Sequence, residues 1–432
     1  MNKDAILVWF RNDLRVRDNE ILWQALAKAD RVVPVYIFDP RHYKVLENGM
    51  HKTGLIRARF ILESVQDLRR SFRALGADLL VLTGYPEEIL PVLAERYQVK
   101  EVYHHREVAK EETHLSTLVE EALWKKRLNL RHFIGHTLYH KEDLPFPIKD
   151  IPDAFATFRK KIERETAIRP SVQTPAKVEV PVDLEDSEIP TLEALGFSAD
   201  LVNVAASPFK GGETEGLKHL EALLAGNDRQ MAEPLGSEDG SALSPWIALG
   251  CLSVHTVYHA VKQHEDKGLP KKKAAAIITG LLWRDYFRFM FKKHGNKFFL
   301  TKGFSKEAPS YELVQEALFE QWKRGDTGDP FVDAAMNQLN TIGFIPQTAR
   351  TLVAHYLVND LNISHISGAA YFEDKLIDYN PASNYGNWAH IAGVGSSVKD
   401  NGVRDIRKLQ HLLNAQGEYV KRWSGAQFSL TS

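Results

Sequence analysis

The chain has 432 residues, 44% of them hydrophobic and 26% charged, a composition that excludes a disordered, collagen-like or coiled-coil protein. Its 55 basic and 56 acidic residues leave a formal charge of −1, so no global positive field advertises a nucleic-acid partner and any such binding must come from a local patch. The one cysteine, Cys251, excludes intramolecular disulfides, iron–sulfur clusters and cysteine zinc sites, and it fits a reducing compartment.

The length suggests two or three domains at about 150 residues each. The run from Ala5 to Phe10 is too short for a signal peptide and lacks a small-residue cleavage site. No stretch of about 18 apolar residues exists, so no membrane association is expected and the expected location is cytoplasmic.

The first third alternates two periods. Ala5 to Phe10, Val32 to Phe38, Asp78 to Thr83 and Val99 to His104 are short apolar runs, which predict strands buried on both faces. Between the second and third, Phe60, Ile61, Val65, Leu68, Phe72 and Leu75 recur at helical spacing from Leu55 to Leu75, and Gly76 is the expected stop. Strands alternating with helices predict a doubly wound parallel sheet. After the first strand the sequence is Phe10-Arg11-Asn12-Asp13-Leu14-Arg15, without the glycine-rich turn of an NAD-type domain, and no P-loop pattern appears.

From about Asp143 to Ser207 the chain is rich in proline and carries an acidic run from Asp183 to Glu188. It predicts a long surface connector with short helices near Phe155 to Glu163 and Thr191 to Leu195. Beyond Phe209 the pattern is helical, with amphipathic spacing over Ala349 to Leu361 and Gly368 to Ile377. The expected architecture is an α/β domain over residues 1–140, a connector over 141–207 and an all-helical domain over 208–432.

Several residues could carry chemistry. His132, His136 and His140 lie four apart, but Phe133 to Tyr139 reads as a strand. The outer two would then stand about 27 Å apart, too far to meet at one ion, so no metal site is expected. Lys271, Lys272 and Lys273, with Lys292 and Lys293, could contact phosphates, although a charge run is ordinarily a solvated face. Trp283, Arg284 and Arg288 share one helical segment, Arg350 lies on a later one, and Asp378, Asn380, Asn384 and Trp388 follow in and after a Pro/Asn-rich stretch. Taken singly, such an Asp is a turn or cap residue and such a Trp is core.

Taken together they carry a resemblance. Leu376-Ile377-Asp378-Tyr379-Asn380-Pro381-Ala382-Ser383-Asn384-Tyr385-Gly386-Asn387-Trp388, the segment Gly325 to Met336 and Trp283-Arg284-Asp285-Tyr286-Phe287-Arg288 resemble the flavin-binding signatures of the cryptochrome/photolyase family. Trp9 to Arg15 with Asp18-Asn19 is similar to the family's first strand and turn. Phe38-Asp39-Pro40-Arg41, Lys52-Thr53-Gly54, Leu62-Glu63-Ser64-Val65, Thr137 to His140, Phe209 with Gly211-Gly212-Glu213, and Leu243-Ser244-Pro245-Trp246 resemble its DASH branch. The similarity runs from residue 6 to about residue 423.

The resemblance implies non-covalent FAD, folded into a U inside the helical domain. The family's pyrophosphate loop corresponds to Gly240-Ser241-Ala242-Leu243-Ser244, where Ser241 and Ser244 keep hydroxyls, while Asp228 replaces a family Tyr and would repel a phosphate. Trp283 and Arg284 match cofactor-side positions. Arg350 and Asp378 match an ion pair beside the flavin ring, Asn380 replaces a family Asp and can donate or accept, and Asn384 matches the position facing flavin N5. Trp388 matches the first of three tryptophans that carry electrons to the surface. The second position is His365 and the third falls near Glu312 to Val314, so that chain is broken, with Tyr356, Tyr371 or Trp322 as substitutes. An antenna folate, methenyltetrahydrofolate, would rest on Glu107 after strand four, a position where a glutamate is ordinarily a solvated surface residue.

The resemblance also implies light-driven electron transfer to cyclobutane pyrimidine dimers in single-stranded DNA, with the dimer flipped out of the strand. The dimer-contacting positions differ here: Gly280 stands for a Glu, Gln347 and Thr348 for an Asn-Arg pair, and His390 for an aromatic, while Trp283 keeps its type. The alternative is a photoreceptor or redox sensor that binds FAD, performs no repair and signals through an unidentified partner. A nucleotide-binding protein using only the α/β domain is a third reading, which the helical flavin motifs oppose. A monomer is expected.

Overall fold

A computed structural model describes residues 4–47, 49–204, 207–226, 242–307, 309, 311, 316–396, 406–414 and 417–424. Its N-terminal part is a five-stranded sheet of β1 (Ala5–Phe10), β2 (Arg31–Phe38), β3 (Leu80–Thr83), β4 (Val99–His105) and β5 (Asn129–Phe133). The strands lie in the order β3-β2-β1-β4-β5, and every pairing is parallel. Helices α1 (Glu20–Lys28), α2 (Leu55–Ala74), α3 (Pro86–Arg96) and α4 (Lys110–Trp124) connect them. All six residues of β1 are buried, as a central parallel strand covered on both faces requires.

Local chemistry sets the ends of these elements. Asn19 caps α1 by accepting from the Leu22 amide. Gly76, with φ +79°, ends α2 in a conformation that costs a glycine little. The third strand starts at Leu80 rather than Asp78, because the Asp78 carboxylate accepts from Arg69, Arg73 and the Leu79 amide.

Three expectations need correction. Phe133 to Tyr139 is not the expected strand: the fifth strand is Asn129–Phe133, a segment not predicted from the sequence, and it ends where the expected one would begin. A Cβ on Gly135 would lie 2.3 Å from His105 Nε2, so the chain crosses the imidazole and leaves the sheet, and the Leu138 and Tyr139 amides then donate to Asp285, each at 3.0 Å. The short helix expected at Thr191 to Leu195 is a hydrogen-bonded turn. The helix expected over Ala349 to Leu361 is α-helical from Gln347 to His355 and then widens to a π turn over Tyr356–Asp360.

The remainder is helical. Among its longer helices are Lys271–His294, Pro330–Ile342, Gln347–His355, His365–Lys375 and Pro381–Ile391. Buried polar groups tie it to the α/β part. Glu213 accepts from the Val16 and Arg17 amides, and Arg15 donates to Gly250 O at 2.9 Å. Among the described residues no helix is long and apolar enough to cross a membrane.

Candidate functional site

The Pro381–Ile391 helix starts from Asn380, whose Oδ1 accepts from the Ser383 amide at 3.2 Å, with proline in the first turn, where its missing N–H costs nothing. Asn380, Asn384, Asn387, Trp388 and Ile391 follow at spacings of three and four and share one face. That face lines a cavity of about 40 Å³, with Gln347, Arg350, Ala354, Phe372, Leu376, Asp378 and Tyr379 around its other sides. This volume holds a few water molecules, so a flavin ring enters it only with the lining side chains displaced.

One carboxylate organises the polar side. Asp378 Oδ2 accepts from Arg350 at 2.7 Å and from the Ser244 hydroxyl at 2.5 Å, and Arg350 Nε also donates to Ile345 O. The other oxygen, Asp378 Oδ1, is buried without a partner. A buried acceptor left unpaired costs about 1–3 kcal/mol, so this atom calls for a donor. The two asparagines are oriented by their other contacts. Asn384 Nδ2 donates to Ala369 O at 2.9 Å, which leaves its carbonyl oxygen as an acceptor. Asn380 has its oxygen engaged at the helix start and keeps its amide N–H groups as donors.

Aromatic rings lead away from the cavity. Trp388, 2% exposed, lies edge-on to Phe372 at 5.1 Å and to Trp322 at 6.2 Å between ring centroids. Trp322 in turn meets Tyr371 at 5.7 Å and Phe319 at 5.8 Å. Gly368 permits this packing, since a Cβ there would stand 2.3 Å from Trp388 Cη2. His365 neighbours Tyr311, and burial pushes its imidazole down to about 4.

The structure gathers Ser244, Arg350, Asp378, Asn380, Asn384 and Trp388 in one place, and Leu243, Trp283, Arg284 and Glu107 do not line that cavity. Ser241, Asp228 and Glu312 to Val314 lie outside the described residues. Ser244 gives its hydroxyl proton to Asp378 rather than presenting a donor for a phosphate. Leu243 is buried core just before the Ser244–Ala248 helix. Trp283 is stacked on Phe155 at 3.6 Å, with His390 at 6.2 Å, away from the Arg350 cavity. Arg284 turns toward the α/β part and donates to the carbonyls of His136 and Ile247; burial, with Arg288 adding, lowers its guanidinium to about 10.

Glu107 is not a solvated surface residue. It is 4% exposed and accepts from Arg288 and Asn12, both at 2.9 Å, with His136 Nε2 at 3.4 Å. Burial alone would raise its carboxyl, but Arg288, His136 and Arg11 outweigh that and hold it well below the usual range. His132 pairs with His104 at 2.7 Å, His136 packs against His105, and His140 caps the turn at Glu142. Of the lysines, Lys293 is tied to Ile151 O and Asp153, and Lys292 is largely desolvated, which with Arg288 lowers it to about 8.

The motif reading left Leu376, Ser383, Asn387 and Ile391 out of the site. For the last three the signal was present, because they repeat along the helix face already marked by Asn380 and Asn384. Leu376 carries no such signal.

Two family models match the chain, DNA photolyase over residues 6–179 and the FAD binding domain of DNA photolyase over residues 277–426. The fold and the cavity thus define a photolyase-type flavoprotein. A cryptochrome DASH of Gloeobacter violaceus is 42% identical over 98% of this chain and 86% of its own length. The solved structure of a Synechocystis cryptochrome superposes with a TM-score of 0.88 at 38% identity, covering 97% of this chain and 88% of that one. A class III photolyase from Agrobacterium tumefaciens gives 0.84 at 25% identity, covering 98% and 87%. The chain belongs to the cryptochrome/photolyase family, in its DASH branch, and is a FAD flavoprotein of that type.

Proposed function

We propose that this protein is a blue-light-driven electron-transfer flavoprotein whose ring site is the cavity between Arg350–Asp378 and Asn384, and that its candidate reaction is repair of cyclobutane pyrimidine dimers in single-stranded DNA. The observation that carries the reading is the unpartnered, buried Asp378 Oδ1 beside a cavity lined by the same aspartate, two asparagines that keep an acceptor and a donor, and a tryptophan. A flavin ring supplies complementary groups: an imide N–H for a free carboxylate oxygen and carbonyls for an amide donor. When bound, FAD supplies light absorption and one-electron transfer.

The residues of the chain do the rest. Asp378 and Arg350 fix the polar edge of the cavity, and Ser244 holds the same carboxylate from the neighbouring helix. Asn384, with its amide nitrogen committed to Ala369 O, offers an acceptor that favours a protonated N5. Asn380 donates. Trp388 delivers an electron from the protein side. The position of Trp283 between Phe155 and His390, outside the Arg350 cavity lining, supports reading Trp283 and His390 as base-contacting residues. Glu107 and the buried histidines around it suit an antenna folate at the interface with the helical half.

The residue ranges 1–140, 141–207 and 208–432 are proposed as antenna-type domain, connector and flavin domain, and the single buried cysteine suits a cytoplasmic monomer. A second reading, a light or redox sensor without repair, draws support from Gly280, where a Cβ would meet no atom within 4 Å; no side chain there can grip a dimer. A light-dependent repair assay on dimer-containing single-stranded DNA, run on a sample whose flavin spectrum is recorded, separates the two. Repair that needs blue light supports the first reading; a flavin-loaded sample with no repair supports the sensor.

A further inference from the structure

The Lys52-Thr53-Gly54 motif belongs to the α/β part, but it contacts Glu373 and Asp374, which lie in sequence between the cavity-lining residues Phe372 and Leu376. Lys52 Nζ stands 2.7 Å from Glu373 Oε1 and 2.7 Å from Glu111 Oε2. The Gly54 amide donates to Asp374 O at 3.0 Å, so closely that a Cβ on Gly54 would sit 2.4 Å from that oxygen. One helical turn on, Arg57 lays its guanidinium over the Tyr379 ring, with Cζ 4.7 Å from the centroid. Arg57 is 5% exposed, donates to Lys52 O and to Thr53 Oγ1, and keeps a buried Nε without a hydrogen-bond partner.

Tyr379 stands between Asp378 and Asn380, the two polar residues at the cavity's edge. Glu373, gripped by Lys52, also accepts from the hydroxyl of Tyr385, the residue after Asn384. The strap from Lys52 to Arg57 therefore holds both segments that carry the polar cavity groups, and it holds them from outside the helical half. Asp378 itself has a single oxygen fixed from within that half, so the placement of its free oxygen depends on the Tyr379 backbone beside it.

We infer that Arg57 is a positioning residue for the flavin cavity: by stacking on Tyr379 it sets Asp378 and Asn380, and the α/β domain thereby governs how tightly the helical domain holds its cofactor. The inference rests on the reading of the cavity as the flavin site. A buried cation over a half-buried tyrosine ring contributes enough to make Arg57→Met and Tyr379→Ala each weaken FAD binding by about tenfold.

The test is FAD affinity of the full chain, measured by reconstitution of the flavin-free protein with the vibronic structure of the bound flavin spectrum as a second readout. Arg57→Met and Tyr379→Ala are expected to weaken binding to the same extent, the double variant no more than either alone, and Arg57→Lys is expected to recover most of the loss. The fine structure of the blue band should blur in Arg57→Met and return in Arg57→Lys. Thermal unfolding of the flavin-free variants reports any general loss of structure, which moves the melting temperature without this pairwise coupling. If Arg57→Met does not fold, Arg57→Lys and Tyr379→Leu carry the comparison. Affinity within twofold of the parent, or additive effects in the double variant, overturns the inference. A parent protein that takes up no FAD overturns instead the reading of the cavity.

Discussion

Trp388 meets Trp322 edge-on, with ring centroids 6.2 Å apart and planes at 73°. Trp388 lines the cavity and Trp322 is fully buried behind it, its Nε1 donating to Val353 O. The rings beyond are Tyr371 and the half-buried Phe319. His365, where the family's second tryptophan would stand, is an imidazole held neutral by burial and a poor one-electron donor.

Trp322 is therefore expected to refill Trp388 after light. Trp322→Phe should slow photoreduction of the bound flavin by about tenfold or more, a barrier increase of about 1.4 kcal/mol, whereas His365→Phe should leave the rate unchanged. Transient absorption with an external thiol as final reductant checks both. A rate that survives Trp322→Phe and falls with His365→Phe would contradict this route.

Gly280 faces open space, and its place in a long helix gives a glutamate room without repacking. Gly280→Glu should raise affinity for a dimer-bearing single-stranded oligonucleotide about fivefold, the value of one hydrogen bond of about 1 kcal/mol. Gly280→Ala serves as the control, since it raises helix stability by about 1 kcal/mol and adds no acceptor. Fluorescence anisotropy distinguishes the two variants. Equal affinities would place the DNA elsewhere.

How far the sequence could be read depended on the range of the interactions involved. The apolar runs of β1, β2 and β4 and the periodicity of α2 are local signals, and they fell within a residue or so of the observed bounds. The strand read over Phe133 to Tyr139 failed because Gly135 must pass over His105, a contact 30 residues back in the chain and visible only in three dimensions. The helix Pro381–Ile391 was not read, since Asn384 falls in a stretch that reads as irregular; the four-residue spacing of Asn384 and Trp388 is the local signal that would have found it. Trp283 and Arg284 were not separable by motif, yet adjacent helical residues point about 100° apart, one into the aromatic cluster and the other to the domain interface. Ser244 and Glu107 take their roles from Asp378 and Arg288, 134 and 181 residues away.

Burial at the interface raises the Glu213 carboxyl from 4.5 to about 7, against the Val16 and Arg17 amides that favour its charge, and raises Asp285 to about 6. The folded protein thus binds these protons more tightly than the unfolded chain does. Their contribution to stability is fully present below about pH 4.5 and is lost as pH rises through about 7. Glu213→Gln should accordingly lose less stability than the parent between about pH 5 and about pH 8. Melting temperatures across that range check it; parallel slopes for parent and variant would contradict it.

The most direct test of the flavin site is FAD retention after Asp378→Ala. Removing Asp378 would leave the partly buried Arg350 guanidinium without its carboxylate, and it would also remove the unpartnered oxygen beside the cavity. The parent protein should bind FAD at one per chain with a blue absorption band, and the variant should bind it at least about a hundredfold more weakly. Undiminished flavin occupancy and affinity in Asp378→Ala would contradict the assignment of this cavity to the isoalloxazine ring.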